Sequence, residues 1–436
     1  MKTRLQVFIL AHRRKLLHLA IILPIVAILL LIAFPALSPR IDHTLNMWRF
    51  NRLGRADFLY DFDYMIYVLE ENFPYEHIIY DTHGINIWEN AARTRAIIAD
   101  ASTSPADAHA FFDLITQDFF QPMGNIGHLF ALNQAGYLGR LHGYVISMQH
   151  ARGSANRLFY DHFMQIFTNR RVMTFYYSAL ANEIEGASAS TPLLEVDILE
   201  EGHVAYIKIN HMPARLHVSL AARENRYVTM LNFWYRYIED FDHLIVDLRG
   251  NPGGSTYAIT RLIISPLINE SLQMTRYLYY NLGEHSIAAS ELGILRGTRS
   301  PSSDINAYPF DRRVFDGYVA NPQQGGRQNS FSGRVWILID EITASAAEAV
   351  AIFSAYTNFA TLVGENTSGV GFGPAAYFNL PNTGIIIRFD YGILTDRHGN
   401  VLAAGHGVAP HYYNREGMDA LETVLAMIKE NLWQNE

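Results

Sequence analysis

From residue 194 onward, short apolar segments alternate with helix-like segments, and this alternation constrains the fold more strongly than any other feature. The predicted strands are residues 204–209, 244–248, 335–339 and 361–363, and the predicted helices are residues 219–237, 256–264 and 344–356. Short strands that are apolar along their whole length are typical of a parallel sheet covered by helices. We therefore predict an α/β core over residues 194–430, with a mainly parallel sheet.

The N-terminal half has a helical pattern instead. Apolar residues at helical spacing predict an N-terminal helical unit over residues 50–128, with helices at residues 57–73, 87–99 and 105–120. Residues 129–193 are aromatic and only partly helical, at 159–167 and 172–185, and we assign them to no module. Residues 297–333 are rich in Pro, Ser, Gly and Asn, which predicts a long surface excursion between two strands.

An apolar run at residues 16–37 follows the basic cluster Arg13-Arg14-Lys15. About 20 apolar residues span a bilayer as a helix, and the flanking positive charge keeps the short N-terminus inside. We predict that residues 1–40 form a cytoplasmic N-terminus and a transmembrane signal anchor, with the catalytic body outside the cytoplasm. A cleaved signal peptide is the alternative, because residues 36–38 have the spacing of a cleavage site, although Pro39 would follow the cut.

Charge and cysteine content exclude several classes of function. The net charge is −8, but the first 40 residues hold six basic residues and no acid, so the remaining 28 basic and 42 acidic residues give −14. A body this acidic repels phosphate backbones, and nucleic acid is not an expected partner. The absence of cysteine excludes disulfides, thiolate zinc sites and a cysteine nucleophile. No histidine–carboxylate cluster suggests a metal, and no other cofactor is predicted.

Two strand-to-helix turns carry residues that are suited to ligand binding or catalysis. In DLRGNPGGST, residues 247–256, the glycines leave backbone N–H groups unobstructed, which suits either an anion site or a plain tight turn. In DEITASAAEAVAIF, residues 340–353, Ser345 lies at the start of a helix. Ser345 is either an ordinary N-cap or a nucleophile at the edge of the sheet, where the helix N-terminus stabilises negative charge.

Two further segments are rich in glycine. GENTSGVGFG, residues 364–373, has four glycines and predicts a loop that lines a cleft. In MGNIGHLF, residues 123–130, His128 follows Gly127 at the end of the helical unit. A lone histidine is more often structural, but an imidazole with a pKa near 6.5 also suits general-base work at neutral pH.

Taken in order, these segments resemble the tail-specific (C-terminal processing) protease family of serine peptidases, which includes the tricorn core protease. Members carry a DLR-x-N-x-GG turn, a T-A-S-A-x-E segment and a G-x-x-T-x-G loop, and many have a G-H-[TL] element. Here these are residues 247–254, 343–348, 364–369 and 127–129. Residues 407–410 resemble the closing segment of the family, and the resemblance covers roughly residues 57–130 and 194–430.

The resemblance implies a crotonase/ClpP-like catalytic core that acts on a polypeptide substrate. It implies that Ser345 is the nucleophile and that the oxyanion donors are the Gly253-Gly254 turn and the N–H of Ala346. Members with a Ser–Lys dyad have a lysine where this chain has Val370, which cannot take a proton. His128 lies in the element that supplies the histidine of the tricorn-like branch, and we therefore predict that it is the general base.

The group that orients His128 is not identified by sequence. The tricorn-like branch often has an acid just before the closing element, but residues 403–406 contain no carboxylate. The weak candidates are Asn125, Asp396 and His406. We interpret three other conspicuous charged residues as structural, namely Asp247, Arg249 and Glu348.

The sequence therefore predicts a membrane-anchored serine endopeptidase in which Ser345 and His128 act together. The alternative is a catalytically silent protein on the same fold that binds a peptide or an apolar ligand, since the lysine and the expected acid are both missing. No PDZ-like docking segment is recognisable between His128 and Leu194, so selection of substrates by their C-termini is not predicted.

Overall fold

The computed structural model describes residues 46–150, 154–180, 193–212, 226–255, 263–270, 272–294, 312–320, 331–396 and 398–431. Gly54–Glu436 form one compact unit. Searching the described ranges finds no helix that is long and apolar enough to cross a membrane. The predicted anchor at residues 16–37 lies outside those ranges, as do residues 256–262 of the helix predicted at 256–264.

The described strands and helices are numbered separately, each in chain order. The strands are β1 Phe130–Ala131, β2 Leu194–Glu200, β3 Val204–Ile209, β4 His243–Asp247, β5 Leu272–Tyr280, β6 Arg312–Ala320, β7 Arg334–Ile339, β8 Thr361–Gly364, β9 Ala375–Asn379, β10 Ile386–Asp390, β11 Ile393–Thr395 and β12 Tyr412–Tyr413. The helices are α1 Arg55–Asn72, α2 Glu76–His83, α3 Ile87–Ala99, α4 Ala108–Leu114, α5 Gln134–His150, α6 Ser154–Phe167, α7 Arg170–Leu180, α8 Arg226–Tyr237, α9 Glu284–Ile294, α10 Ala346–Thr357 and α11 Ala420–Lys429.

The central sheet is mixed and mostly parallel. Within the described part of the chain it has six strands in the order β12-β8-β7-β4-β3-β2, and only the β2–β3 pair is antiparallel. Strand β4 is buried at all five residues, as expected for a strand that is covered on both faces. The predicted α/β class with a mainly parallel sheet is confirmed.

The core under this sheet explains how its strands are held in place. Helix α11 packs Val424, Met427 and Ile428 against Trp336 of β7 and Val363 of β8. All five are buried, and Trp336 is fully so. Each such side chain contributes about 1.5–3 kcal/mol of hydrophobic stabilisation, so the strand ends that carry the site are rigidly supported.

Two small antiparallel sheets, in the orders β1-β10-β9 and β11-β5-β6, complete the architecture of the described residues. Pairing of β1 with β10 places Phe130 opposite Arg388 and Ala131 opposite Ile387. The end of the N-terminal helical region is thereby joined to a strand from the last quarter of the chain. The predicted domain limits at 128/129 and 193/194 remain predictions.

The N-terminal helices agree with the predicted ones in part. Helix α3 has the predicted bounds, because its N-cap Asn86 accepts hydrogen bonds from the N–H groups of Trp88 and Glu89. The predicted helix at 105–120 is interrupted, since α4 passes into a π-helical turn at Ile115–Phe120. Helix α2 was not predicted. The surface excursion expected at 297–333 contains β6, which pairs with β5 and is therefore part of a sheet.

Candidate active site

Ser345 lies where β7 turns into α10, in a backbone conformation that serine rarely adopts. Its φ is 53° and its ψ is −115°, and its side chain makes no capping hydrogen bond to the helix. A non-glycine residue in this region costs about 1–3 kcal/mol and persists only where the surroundings enforce it. Ser345 is therefore not an ordinary N-cap, because its Oγ accepts no hydrogen bond from the N–H groups of the helix. The residue is partly buried.

The Gly253-Gly254 turn packs directly against this serine. A Cβ added to Gly253 would lie 2.7 Å from Ser345 Cβ and 2.8 Å from the backbone N of Ala346. At Gly254 an added Cβ would collide with the carbonyl oxygen of Met212. Both glycines also have positive φ, at 98° and 134°. Only glycine fits at either position, and the turn is held in contact with the segment that carries Ser345.

Backbone N–H groups at this contact differ in their availability. The N–H of Gly253 donates to Asn251 Oδ1 at 2.8 Å, while Asn251 Nδ2 donates to the carbonyl of Ile209 at 2.7 Å. The described residues offer no hydrogen-bond acceptor to the N–H of Gly254 or to that of Ala346, the first residue of α10. Unpaired N–H groups at a helix start and a glycine turn are suited to an oxyanion.

Side-chain hydrogen bonds of Asp247 and Arg249 hold the same turn in place. The buried Asp247 carboxylate accepts hydrogen bonds from the Arg249 side chain, from the Arg249 N–H and from Tyr206. Arg249 also pairs with Asp419 at the start of α11. These hydrogen bonds and the ion pair engage the side chains of both Asp247 and Arg249, which agrees with the structural role predicted for them.

Glu348, one turn into α10, holds the glycine-rich loop at residues 364–373. Its buried carboxylate accepts hydrogen bonds from Thr367 Oγ1 at 2.6 Å and from the N–H groups of Gly369 and Gly371 at 2.8 and 2.9 Å. Burial raises the pKa of Glu348, and these hydrogen bonds oppose that shift. The N–H of Ser368 also donates to the carbonyl of Thr343, so the loop is bound to residues on both sides of Ser345 in the chain.

The same loop binds the segment that carries His128. The N–H of Gly127 donates to the carbonyl oxygen of Val370 at 3.0 Å. A Cβ at Gly127 would lie 2.7 Å from the buried ring of Tyr75, so this residue must be glycine. His128 itself has a φ of 47°, which is strained for a histidine. One loop therefore connects the Ser345 segment with the His128 segment through main-chain hydrogen bonds.

A carboxylate contacts the ring of His128. Nδ1 of His128 lies 2.7 Å from Oδ2 of Asp390, whose side chain is fully buried at the end of β10. Because the ionised carboxylate only accepts hydrogen bonds, Nδ1 carries the proton and Nε2 is left as the basic nitrogen. Arg388 Nη2 donates to the other carboxylate oxygen at 3.2 Å. This His–Asp pair is the arrangement that orients a general base.

Comparison with known proteins identifies the family. The model of peptidase family S41 matches residues 203–414, which include the strands, turns and loop that surround Ser345. Residues 203–414 belong to peptidase family S41. The protein is accordingly a serine peptidase, as the sequence predicted.

Solved structures share the fold of this S41 peptidase. Mature CPAF is 12% identical with a TM-score of 0.55, and the match covers 86% of this chain and 98% of that one. CPAF complexed with lactacystin is 12% identical with a TM-score of 0.53, covering 86% and 99%. At this identity the likeness concerns the fold, which extends over nearly the whole length of both proteins.

Asp390 is a residue of the candidate site that the sequence interpretation missed. The three candidates for orienting His128 have other partners: Asp396 binds Asn400, His398 and Tyr356, both ring nitrogens of His406 lie against carbonyl oxygens, and Asn125 contributes its backbone carbonyl to the N–H of His128. A signal was present, because Arg388 and Asp390 are the two charged residues in an otherwise apolar strand.

The acid limb of the pH profile of kcat/KM is expected to lie below pH 6.5. Burial lowers the pKa of His128, and the charge of Arg388 lowers it further against the opposing effect of Asp390. The neutral imidazole is the form that can accept a proton, so activity is expected to rise as the pH passes upward through this lowered pKa. Hydrolysis of a fluorogenic peptide between about pH 4 and 8 measures the limb.

Circular dichroism over the same pH range serves as the control, because unfolding in acid would produce a false limb. An inflection at or above pH 6.5 in a protein that stays folded would contradict the expected direction.

Proposed function

We propose that this chain is a serine endopeptidase in which Ser345, His128 and Asp390 form the catalytic triad. The observation that carries the proposal is the hydrogen bond between His128 Nδ1 and the buried Asp390 carboxylate. Asp390 is an acid that can orient His128. The sequence had shown no such acid, and that was one reason for considering a catalytically silent binding protein. The strained, uncapped Ser345 and its contact with the glycine turn give independent support.

The geometry suggests the following sequence of proton transfers. His128 Nε2 accepts the Ser345 Oγ proton, and the alkoxide attacks the peptide carbonyl carbon. The N–H groups of Gly254 and Ala346 donate to the resulting oxyanion. The N–H of Gly253, the third predicted donor, is bonded to Asn251 Oδ1 and is not needed in this scheme. The imidazolium then protonates the leaving amine, and Asp390 stabilises its charge without taking the proton. A water molecule, activated by His128, finally releases the acyl fragment.

Val370 has a role in this proposal although its side chain cannot act as a base. Its carbonyl oxygen accepts the N–H of Gly127, the residue before the histidine. The loop that carries the lysine base in Ser–Lys relatives therefore contributes a main-chain acceptor here. This supports assignment of the chain to the histidine-using branch.

The experiment that tests the proposal is labelling of the full-length protein with a fluorophosphonate. Such reagents react only with a serine whose Oγ is activated by a base and whose adduct is stabilised by an oxyanion hole. We expect one adduct per chain, and peptide mapping by mass spectrometry should place it on Ser345. Heat-unfolded protein is the control and should remain unlabelled. A folded protein that takes up no reagent would favour the silent binding protein.

We also propose that the peptidase is anchored in the cell membrane by residues 16–37, with its catalytic body extracytoplasmic. The support is the apolar run and the basic cluster Arg13-Arg14-Lys15 that precedes it. Alkaline carbonate extraction of membranes is the measurement. An anchored chain stays in the pellet, whereas recovery of the whole population in the supernatant would exclude anchoring.

A further inference from the structure

Tyr75 lies between α1 and α2, and its side chain is buried beside the His128–Asp390 pair. The residue is 1% exposed. Its hydroxyl donates a hydrogen bond to the carbonyl oxygen of Gly392 at 2.7 Å. Gly392 lies in the turn between β10 and β11, two residues after Asp390. The hydroxyl of Tyr75 is therefore bonded to the segment that carries the proposed acid.

The ring of the same tyrosine contacts the segment that carries the proposed base. A Cβ added to Gly127 would lie 2.7 Å from Cδ2 and 2.9 Å from Cγ of Tyr75. Gly127 has a φ of 63° and is followed directly by His128. A backbone segment that touches a fully buried ring cannot move toward it, because protein interiors are close-packed. The ring thus limits the movement of the histidine segment on one side.

A third segment meets the others at this side chain. Gly373 is the last residue of the glycine-rich loop at residues 364–373. A Cβ added to Gly373 would lie 2.5 Å from the Gly392 carbonyl oxygen, 2.7 Å from the Tyr75 hydroxyl oxygen and 2.9 Å from Asp390 Cβ. These three groups converge on one point at the end of the loop. The loop, the base segment and the acid segment are all close to Tyr75.

The position and the protonation state of Tyr75 are both fixed by its surroundings. The Phe73 ring lies 5.4 Å from the Tyr75 ring and 6.3 Å from the ring of Phe389, measured between centroids. Burial raises the pKa of Tyr75, and the charge of Asp390 raises it further against the opposing charge of Arg388. The hydroxyl therefore remains protonated, and remains a donor, at every pH at which a histidine base works.

We infer that Tyr75 is a positioning residue that holds His128 and Asp390 at hydrogen-bond distance from each other. The inference deepens the proposed function and rests on it. The ring supports the residue before the histidine, and the hydroxyl holds the chain just after the aspartate. The strained backbone of His128 persists only where its surroundings enforce it, and Tyr75 supplies part of that enforcement. This role requires no contact between Tyr75 and the substrate.

Tyr75→Phe in the full-length protein tests the inference, since it removes one oxygen atom and keeps the ring. The Gly392 carbonyl loses its donor, and the segment that carries Asp390 can move away from His128. We expect kcat for a fluorogenic peptide to fall about 10- to 100-fold, because small displacements of catalytic groups have large effects on rate. KM should change little, since the substrate contacts are the same in both proteins.

The pH profile separates positioning from a general loss of stability. Burial and the charge of Arg388 lower the pKa of His128, and Arg140 adds to this, whereas Asp390 opposes it. Once Asp390 moves away, its opposing effect weakens and the pKa of His128 falls further. The acid limb of kcat/KM in Tyr75→Phe should therefore move to lower pH. An acid limb that stays in place or moves to higher pH overturns the inference.

Tyr137→Phe is the matched control. Tyr137 is also fully buried, and its hydroxyl donates to a backbone carbonyl, that of Phe167, at 2.9 Å. The two substitutions therefore remove the same kind of hydrogen bond, and both should lower the thermal unfolding midpoint. Only Tyr75→Phe should change kcat and the acid limb. Equal values of kcat in the two variants contradict a positioning role for Tyr75.

Gly373→Ala reaches the same contact from the other side and keeps the inference testable if Tyr75→Phe does not fold. The added methyl group presses on the Tyr75 hydroxyl and the Gly392 carbonyl, so kcat should fall and the acid limb should again move to lower pH. In the double variant, the two losses in kcat should combine to less than their product, because both substitutions disrupt one hydrogen bond. Losses that multiply fully, or wild-type kcat in Gly373→Ala, overturn the inference.

Failure of this inference and failure of the proposed function are distinguishable. A protein that labels with fluorophosphonate on Ser345, but whose Tyr75→Phe and Tyr137→Phe variants have the same kcat, is a peptidase in which Tyr75 has no positioning role. A folded protein that does not label contradicts the proposed function itself, whatever the Tyr75 variants show.

Discussion

Replacing Ser345 with alanine is expected to lower kcat for peptide hydrolysis by at least about 10⁴-fold. The serine oxygen forms the bond to the substrate carbonyl, so its removal eliminates the acyl-enzyme route. What remains is the contribution of the oxyanion donors and of substrate binding. KM should change little, because Ser345 Oγ has no capping or binding role of its own in the described structure. Initial rates with a fluorogenic peptide at saturating concentration give the comparison.

Ser102→Ala is the matched control for this substitution. Ser102 is an exposed serine that binds Asp100 in the N-terminal region, and its loss should leave kcat within experimental error. Alanine at 345 should also relieve no strain by itself, since the positive φ disfavours alanine as much as serine. A Ser345→Ala protein that retains one tenth or more of the wild-type kcat would contradict the assignment of Ser345 as nucleophile. That threshold corresponds to an increase of about 1.4 kcal/mol in the activation free energy.

Asp390→Asn is expected to reduce kcat by about 10³- to 10⁴-fold with little change in KM. The carboxylate forces the proton of His128 onto Nδ1, and an asparagine amide that donates in the same place stabilises the opposite tautomer. Nε2 would then carry the proton and could not accept one from Ser345. Steady-state kinetics at several pH values provide the test, together with NMR of the imidazole nitrogens to identify the tautomer.

Asp396→Asn supplies the control for the aspartate substitution. Asp396 is also buried, but its carboxylate caps a turn through Asn400 and His398 and does not contact His128. Its replacement should lower thermal stability while kcat in the folded protein is kept. Equal losses of kcat in both variants would mean that Asp390 acts through general stability, contrary to the proposed triad.

The sequence predicted the parts of the site that depend on local pattern. Alternating apolar segments located β4, β7 and β8, and the Asn86 cap with helical spacing located α3 to the residue. Ser345 and the Gly253-Gly254 turn followed from motifs in which a strand end, a turn and a helix start are adjacent along the chain. Local propensity and short-range geometry determine these features, so a single sequence contains enough information to find them.

The parts that were missed depend on contacts between distant segments. Asp390 meets His128 because β1 pairs with β10, and no periodicity in either segment specifies that pairing. The π-helical turn at Ile115–Phe120 is likewise a local shift in hydrogen-bond register that apolar residues at helical spacing do not reveal. Strand β6 lies in the stretch that was predicted to be a surface excursion. It is a strand because it pairs with β5, and that pairing is not visible in the sequence of the stretch itself.

The separation of the catalytic pair along the chain has a consequence for biosynthesis. His128 and Asp390 are 262 residues apart, and the Ser345 segment lies between them. A ribosome at about 5–20 residues per second needs roughly 13–50 seconds to add that stretch. A nascent chain that has not passed residue 390 lacks the acid of the proposed triad, and a fragment that ends between residues 345 and 390 has the proposed nucleophile without the acid that orients its base. If the proposed triad is correct, a nascent chain has no hydrolytic capacity before residue 390 has been added.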